Sequence, residues 1–583
     1  MKHKDRFVFG RTARSVLRTM LSVVLLLCSI LFLPGVTADV SAQTLTADTT
    51  SKIVTSTAKV TISNVPAGKS ITWPTYQVLY ATYDAGSNAL EYHLTDWANT
   101  VLVGTGTNQV LTEEEAIKEI TKLTTTGAAA TEQSDLVNRL AAATKIPYTA
   151  ASWSVTGTNA AADLPVGAYL VIPSCEGMTF LNMLVSVDTS GTTDTADNGW
   201  VLTAKGAVLK GKTLSIDKKI TGKNGTTVTF DNGKTTETAQ IGDTIHYTIV
   251  AQVPHYPDNS TNKTFKVVDT PTNLSISTGS ISVSGVKTDG TETAIAATSY
   301  DVSKDSANGP VTIDFSDSYN GTFYDTTAKS WPYVSVKITY TAVVTEDAEM
   351  GTNGNPNTAK LIYWFDTQEK ELPSPKTTVF TYGLNVVKLE AGTEAEVKKL
   401  TNAVFQISRD ESQTPLYFKD NEDGSYTLAQ DQTTASATGY TKDLKTQGTD
   451  GSFWLKGLDA RVDYSLKEVK APSGYSVNTD TLTIRLTAKT NPDDSTYTGI
   501  LLGVTGTEKD KNGQAITGTG SWTYGLSTEA AKAAVSLTDT KLFELPATGG
   551  KGTDGFARNG ILLLTAAALV YGISRRKKQD ERG

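Results

Sequence analysis

Polar and apolar positions alternate with a period of two along most of this chain, the spacing of half-buried β-strands. Between about Ser56 and Gly206 the segments "KVTISNV", "TYQVLYATYD" and "GAYLVIP" fit strands. Among them "LTEEEAIKEITKL" changes to helical spacing, with Thr112 at the N-cap and Glu115 as its capping-box partner. From "KTLSIDKKI" to "TAKLIYWFD" the alternation is nearly uninterrupted, punctuated by Asn, Asp, Gly, Ser and Pro turns. After a Pro-containing linker, "ELPSPKTT", a third stretch from "GLNVVKLE" to "AAVSLTDTK" repeats the style without repeating the sequence. The pattern predicts an all-β chain of tandem immunoglobulin-like sandwich modules, the first with a helical insertion. Expected boundaries are 43–206, 207–380 and 381–544.

The two ends depart from this pattern. Lys2, Lys4, Arg6, Arg11, Arg14 and Arg18 precede the apolar "MLSVVLLLCSILFL", which runs into small residues at Val36, Ala38, Val40 and Ala42. This is the order of a secretory signal peptide spanning 1–42, cut after Ala38 or Ala42. At the other end, residues 545–583, a Pro/Thr/Gly knot at Leu545–Gly550 is followed by a polar spacer, an apolar run from Gly560 to Ile573 and the basic cluster Arg575–Lys578. A lipid-anchor signal shares the spacer and apolar tail, but does not call for the final basic cluster.

Composition narrows the choice. The net charge of −8 over 583 residues, with no basic patch between the ends, excludes nucleic acid as a partner. Of two cysteines, Cys28 leaves with the signal peptide, and Cys175 alone cannot form an internal disulfide. An exported protein without that staple needs another.

Certain charged and amide residues fall on the apolar side of their strands. Counting by two places Lys218 with Leu214, Ile216 and Ile220; Asp269 with Phe265 and Val267; and Asn357 with Ala359, Leu361 and Tyr363. The same count places Lys388 with Leu384 and Val386, Glu468 with Tyr464 and Leu466, and Asp539 with Val535 and Leu537. Opposite faces are partly apolar too, through Val268, Ile362, Val387 and Leu389, so these strands admit either orientation. A lone lysine in a strand is ordinarily a solvated side chain, its stem lying along the sheet.

If they are buried, grouping is the economical arrangement, because each such residue alone is costly in a core. Desolvation leaves a neutral amine beside a protonated carboxyl. Held in contact, the amine can attack an Asn or Asp side-chain carbonyl while the acid polarises it and moves protons. The product is an intramolecular isopeptide bond, a staple that needs no cysteine.

Several motifs resemble those of Gram-positive surface pilins. "LPATG", an apolar run and a basic tail resemble the LPxTG cell-wall sorting signal, implying that a sortase recognises Leu545, Pro546, Thr548 and Gly549 and cuts between Thr548 and Gly549. "YSLKEVKAPSGY" resembles the E-box of pilins and collagen-adhesin B-type (CnaB-type) domains, with Glu468 at its glutamate. "VVKLE" and "LTDTKLFELPATGG" resemble that family's lysine strand and last strand, although the family more often has Asn where Asp539 stands. "IDKKI", "AQIGDTIHYTIVAQVP", "FKVVDT" and "NPNTAKLIYW" resemble the isopeptide-forming middle domain of SpaA-like and FimA-like backbone pilins.

The resemblance implies a cross-link of Lys218 to Asn357 assisted by Asp269, and one of Lys388 to Asp539 assisted by Glu468. It also implies an acceptor lysine, to which the sortase joins Thr548 of the next subunit. The family pattern resembles W-x-x-x-V-x-V-Y-P-K; here "WVLTAKGAVLK" supplies Trp200 but no "YPK", and Lys210 fits the spacing to within one residue, with Lys205 second. Implied partners are polymerising and housekeeping sortases, further copies of the chain and minor pilins, peptidoglycan and a host surface ligand; the implied location is a cell-wall-anchored pilus.

No cofactor or metal is expected. No His or Cys cluster has zinc spacing, and "DNEDG" at Asp420–Gly424 is better read as a turn than a calcium loop. No nucleophile and base can be assembled for a hydrolase. The alternative expectation is a monomeric wall-anchored adhesin of the same modular build.

Overall fold

The computed structural model describes residues 39–542 other than 44, 50, 85–88, 105–110, 127–134, 192–199, 225–232, 259, 351–352, 366–367, 392–397, 410–411, 437–438, 461, 480, 491–496, 510–522 and 526–531, together with 561–571. It is predominantly β and divides into two compact units. One comprises residues 1–237, 243–345 and 355–379; the other comprises 238–242, 346–354 and 380–583.

The first unit begins with a six-stranded sheet in the order Asp39–Gln43, Trp200–Lys205, Met183–Gly191, Gly167–Val171, Thr75–Asp84, Ala89–Leu94. A four-stranded sheet containing Thr57–Ser63 and Asn159–Pro165 encloses one core with it, including Val60, Ile62, Leu164, Tyr169 and Val185. Three helices, Asp96–Leu102, Glu113–Thr126 and Asp135–Ala142, cover the other face through Leu102, Ile120, Val137 and Leu140, packed on Val78, Leu170 and Leu184. This explains why "GAYLV" is continuously apolar: both faces of that strand are buried. The capping box forms, Thr112 N–H donating to Glu115 Oε2 at 2.8 Å and Glu115 N–H to Thr112 Oγ1 at 3.2 Å.

Further along the same unit, a five-stranded sheet runs Ile216–Lys223, Thr244–Gln252, Ser335–Val344, Leu274–Val286, Glu292–Ala294. Opposite it, Asn355–Phe365 lies between Phe265–Pro271 and Thr377–Phe380. Ile220, Ile249, Phe265, Val267, Ile338 and Leu361 are among the buried residues of these strands.

In the second unit, Tyr382–Glu390 lies between Ser452–Leu458, antiparallel, and Lys532–Asp539, parallel. A second sheet holds Val404–Arg409, Asp463–Lys470 and Thr481–Thr490 in that order. Phe405, Ile407, Phe453, Leu455, Leu466 and Val535 are buried there.

One backbone approach governs the exit from the six-stranded sheet. Between Trp200–Lys205 and the short parallel strand Ala207–Val208, Gly206 passes so close to Thr61 that a Cβ would stand 1.8 Å from the Thr61 carbonyl oxygen. Only the missing side chain lets the chain cross there. Gly206→Ala is therefore expected to cost roughly 2–4 kcal/mol, because backbone must move to relieve the overlap; thermal unfolding of the variant checks this.

Candidate functional site

The alternation places all six expected residues inward. Lys218, Asn357 and Lys388 are 0 % exposed, Asp269 and Asp539 2 %, and Glu468 3 %. Their neighbours Val268, Ile362, Val387 and Leu389 occupy the half-buried outer faces, so the ambiguous strands take the orientation that buries the charges.

In the first unit the Lys218 ammonium donates to Asp269 Oδ1 in a fully buried ion pair. Two tyrosines opposite one another on adjacent strands, Tyr247 and Tyr340, stack with centroids 5.3 Å apart and planes 12° apart. Lys218 Nζ lies 5.2 Å from the Tyr247 centroid and 5.7 Å from that of Tyr340. Asn357 joins the cluster through Nδ2, which donates to Tyr340 Oη at 3.1 Å. Among the described residues, Asp269 Oδ2, Asn357 Oδ1 and Tyr247 Oη have no hydrogen-bond partner. Each such atom typically costs 1–3 kcal/mol. All three lie in this one buried cluster.

Electrostatics there make the ammonium easier to deprotonate than an ordinary lysine. Burial pushes the Lys218 ammonium down to about 8, and the Asp269 charge and hydrogen bond only partly oppose this.

In the second unit Lys388 Nζ stands 2.5 Å from Asp539 Oδ1 and 3.2 Å from Glu468 Oε2, and 5.4 Å from the Phe405 ring centroid. Neither polar approach has hydrogen-bond geometry. Glu468 Oε2 also accepts from the Asn478 N–H at 2.9 Å. Burial raises the Glu468 carboxyl above its ordinary range, against the Asn478 hydrogen bond and the Lys388 charge, with Asp539 adding to the rise. Each cluster thus holds a lysine, a carboxyl and an Asn or Asp.

The other expected positions divide by exposure. Lys210 is exposed, in the short link before the strand Gly211–Thr213, whereas Lys205 is half-buried with Nζ 2.5 Å from Asp188 Oδ2. Leu545, Pro546, Thr548 and Gly549 lie outside the described residues, as does the expected signal peptide up to Ala38. Residues 561–571 form an exposed helix, and no described helix is long and apolar enough to cross a membrane. Asp420–Gly424 is a turn: Asp420 Oδ1 accepts from Glu422 N–H at 2.9 Å, and no group of potential metal ligands occurs among the described residues.

Tyr247 and Tyr340 were not singled out from sequence. Their signal is the alternation of "TIHYTIV" and "SVKITYTAVV", which turns both inward but resembles ordinary core packing.

Residues 385–498 match a SpaA prealbumin-like fold domain, and residues 538–580 match the Gram-positive LPXTG cell-wall anchor motif. The chain is therefore a wall-anchored surface protein of predominantly β architecture. It is homologous to the trypsin-resistant surface T6 protein of Streptococcus pyogenes serotype M6, 27% identical over 485 residues that cover 72% of this chain and 81% of that protein. Among solved structures, the T6 backbone pilin of serotype M6 S. pyogenes aligns over 86% of this chain and 100% of its own, at 18% identity and a TM-score of 0.49. The major pilin SpaD of Corynebacterium diphtheriae aligns over 84% and 98%, at 16% identity and a TM-score of 0.43.

The depressed Lys218 value has a stability consequence. Unfolded lysine binds its proton up to about pH 10.4, the folded one only to about 8, so the unfolded chain holds the extra proton between them and folding is favoured as pH rises. In Asn357→Ala, which removes the amide of the cluster and keeps the buried lysine, the melting temperature should climb between pH 8 and 10. This recovers on the order of 3 kcal/mol, a difference absent when Lys218→Met is added.

Proposed function

We propose that this chain is the backbone subunit of a sortase-assembled covalent pilus, stiffened by two self-formed isopeptide bonds. The observation that carries the reading is the pairing of two buried lysine–carboxyl–Asn/Asp clusters with a cell-wall anchor motif at residues 538–580. A chain kept inside the cell needs no such anchor; one exported without disulfides gains from such bonds.

In this reading, neutral Lys218 attacks the Asn357 side-chain carbonyl with Asp269 moving protons, and ammonia leaves. Lys388 attacks Asp539 with Glu468 as the acid, and water leaves. The raised Glu468 carboxyl suits it to protonate and polarise the Asp539 carbonyl. The non-hydrogen-bonding approach of Lys388 at 2.5 Å suits a nitrogen aimed at the carbonyl carbon. Three modules, 43–206, 207–380 and 381–544, accommodate these parts. No reaction on an outside substrate belongs to this function.

Cleavage after Ala38 is favoured over Ala42, because Asp39–Gln43 pairs along its full length with Trp200–Lys205, and the later cut would remove most of that strand. Polymerisation joins Thr548 of one subunit to Lys210 of the next. Lys210 is preferred because it is exposed, whereas Lys205 is half-buried.

The first test weighs the mature ectodomain. Its mass should fall short of the sequence by roughly 35 Da, one ammonia plus one water, with Asp269→Ala restoring only the ammonia and Glu468→Ala only the water. Each bond closes a loop of about 140 or 150 residues, so by the chain-entropy model each loss should lower stability by on the order of 5 kcal/mol. An unmodified wild-type mass refutes the cross-links.

The second test concerns assembly. Denaturing gels of wall extracts should show a ladder of covalent polymer from wild type, and monomer alone from Lys210→Ala, still attached to the wall. A wild-type wall fraction that is wholly monomeric would instead establish the adhesin reading.

A further inference from the structure

We propose that the Tyr340 hydroxyl is a third catalytic group of the Lys218–Asn357 site, delivering the proton that turns the Asn357 amide nitrogen into the departing ammonia. The inference rests on the cross-link reading above and adds a step that lysine and carboxyl alone leave unassigned.

An amide nitrogen departs only when protonated, so some group must present a proton at Nδ2. Asp269 Oδ1 is committed to Lys218, on the attacking side. Tyr340 Oη accepts from Nδ2 at 3.1 Å, whereas Tyr247 Oη makes no hydrogen bond of normal geometry. A phenol has one donor and two acceptor positions, so while Oη accepts from Nδ2 it keeps its own proton. Once the carbonyl carbon becomes tetrahedral, Nδ2 loses amide resonance and acquires a basic lone pair at the same distance. The hydrogen bond can then reverse without either residue moving.

The surroundings fix this arrangement. Tyr340 is 4 % exposed and stacked on Tyr247, which holds the ring in place and keeps bulk water from substituting for it. Burial first, and then the Asp269 charge, raises the phenol well above its ordinary range, so it remains protonated at neutral pH. The Asp269 carboxyl acts on the same phenol through both its charge and a hydrogen bond, which puts it within reach to replenish Tyr340.

The step balances. Once the Lys218 ammonium has passed its proton to Asp269 within their ion pair, the Lys218 Nζ lone pair forms a bond to Asn357 Cγ and the carbonyl π pair moves to Oδ1. Asp269 passes its proton to Tyr340 Oη as Tyr340 passes its own to Nδ2. The Cγ–Nδ2 bond breaks with its pair on nitrogen, the carbonyl re-forms, and ammonia leaves. The excess proton on Nζ returns to Asp269, so Tyr340 ends as it began and Asp269 ends protonated.

The second cluster supplies an internal clock, since its leaving group comes from a carboxyl and Phe405 is the ring beside its lysine. The chain is made by cell-free translation directly into denaturant, so that it is unlinked, and is then refolded, quenched at intervals and digested, and both cross-linked peptides are quantified by mass spectrometry. Tyr340→Phe keeps the ring stack and removes only the oxygen. It should form the Lys388–Asp539 peptide on the wild-type schedule and the Lys218–Asn357 peptide roughly 100-fold more slowly. Formation of both at wild-type rates overturns the role of Tyr340 and leaves the cross-links standing. Absence of the Lys218–Asn357 peptide from folded wild type overturns the cross-link reading, and this proposal with it. If Tyr340→Phe fails to fold, 3-fluorotyrosine at position 340 keeps oxygen and packing while making the phenol more acidic. A changed rate at that site alone supports the relay, whereas an unchanged rate overturns it.

Discussion

The structure is organised around the cost of placing a lysine ammonium in an apolar core. Lys218 and Lys388 are both 0 % exposed, and an unpaired charge so placed costs several kcal/mol even after relaxation. A carboxyl brought from another strand offsets part of that cost, which requires the strands to hold one register. A slip by one residue would put Lys218 in solvent and leave Asp269 alone inside. The stacked pair Tyr247 and Tyr340, and Phe405 in the other unit, pack beside the lysines, so relief through water is scarce.

The two clusters solve one problem with different chemistry. In the first, burial acts mainly on the amine, leaving Lys218 readily deprotonated while the amide it faces carries no charge. In the second, burial acts visibly on the acid, desolvating Glu468, and the neighbouring carboxyl of Asp539 adds a smaller push in the same direction. In the proposed reactions an amide acceptor would demand a proton at nitrogen, whereas a carboxyl acceptor would bring its own crowding of charge.

Much of this was legible along the chain. Alternation with period two puts Lys218 beside Ile216 and Ile220, and the structure buries that set. It could not decide strands such as Asn355–Phe365, where Ile362 makes the second face apolar as well; the decision came from the facing sheet. Nor does spacing reveal that Lys388 meets Asp539. That meeting depends on the parallel pairing of Tyr382–Glu390 with Lys532–Asp539, a tertiary fact about segments far apart in sequence. The tyrosines were obscured because inward aromatic residues are ordinary in strands, and a hydroxyl's partner across two sheets leaves no local trace. By contrast the tail is legible outright, since it is a linear motif.

Gly206 and Lys210 stand just after the last long strand of the six-stranded sheet, and that placement has a mechanical meaning. With the fibre joined through Lys210 and Thr548, a pull on the proposed polymer enters at 210, crosses from Lys218 to Asn357, continues to Lys388, crosses to Asp539 and leaves at 548. Residues before 210 lie off this covalent line and are coupled to it by hydrogen bonds, such as those that pair Met178–Phe180 with Gly211–Thr213. The line itself contains about fifty residues and cannot stretch beyond roughly 180 Å without breaking a covalent bond.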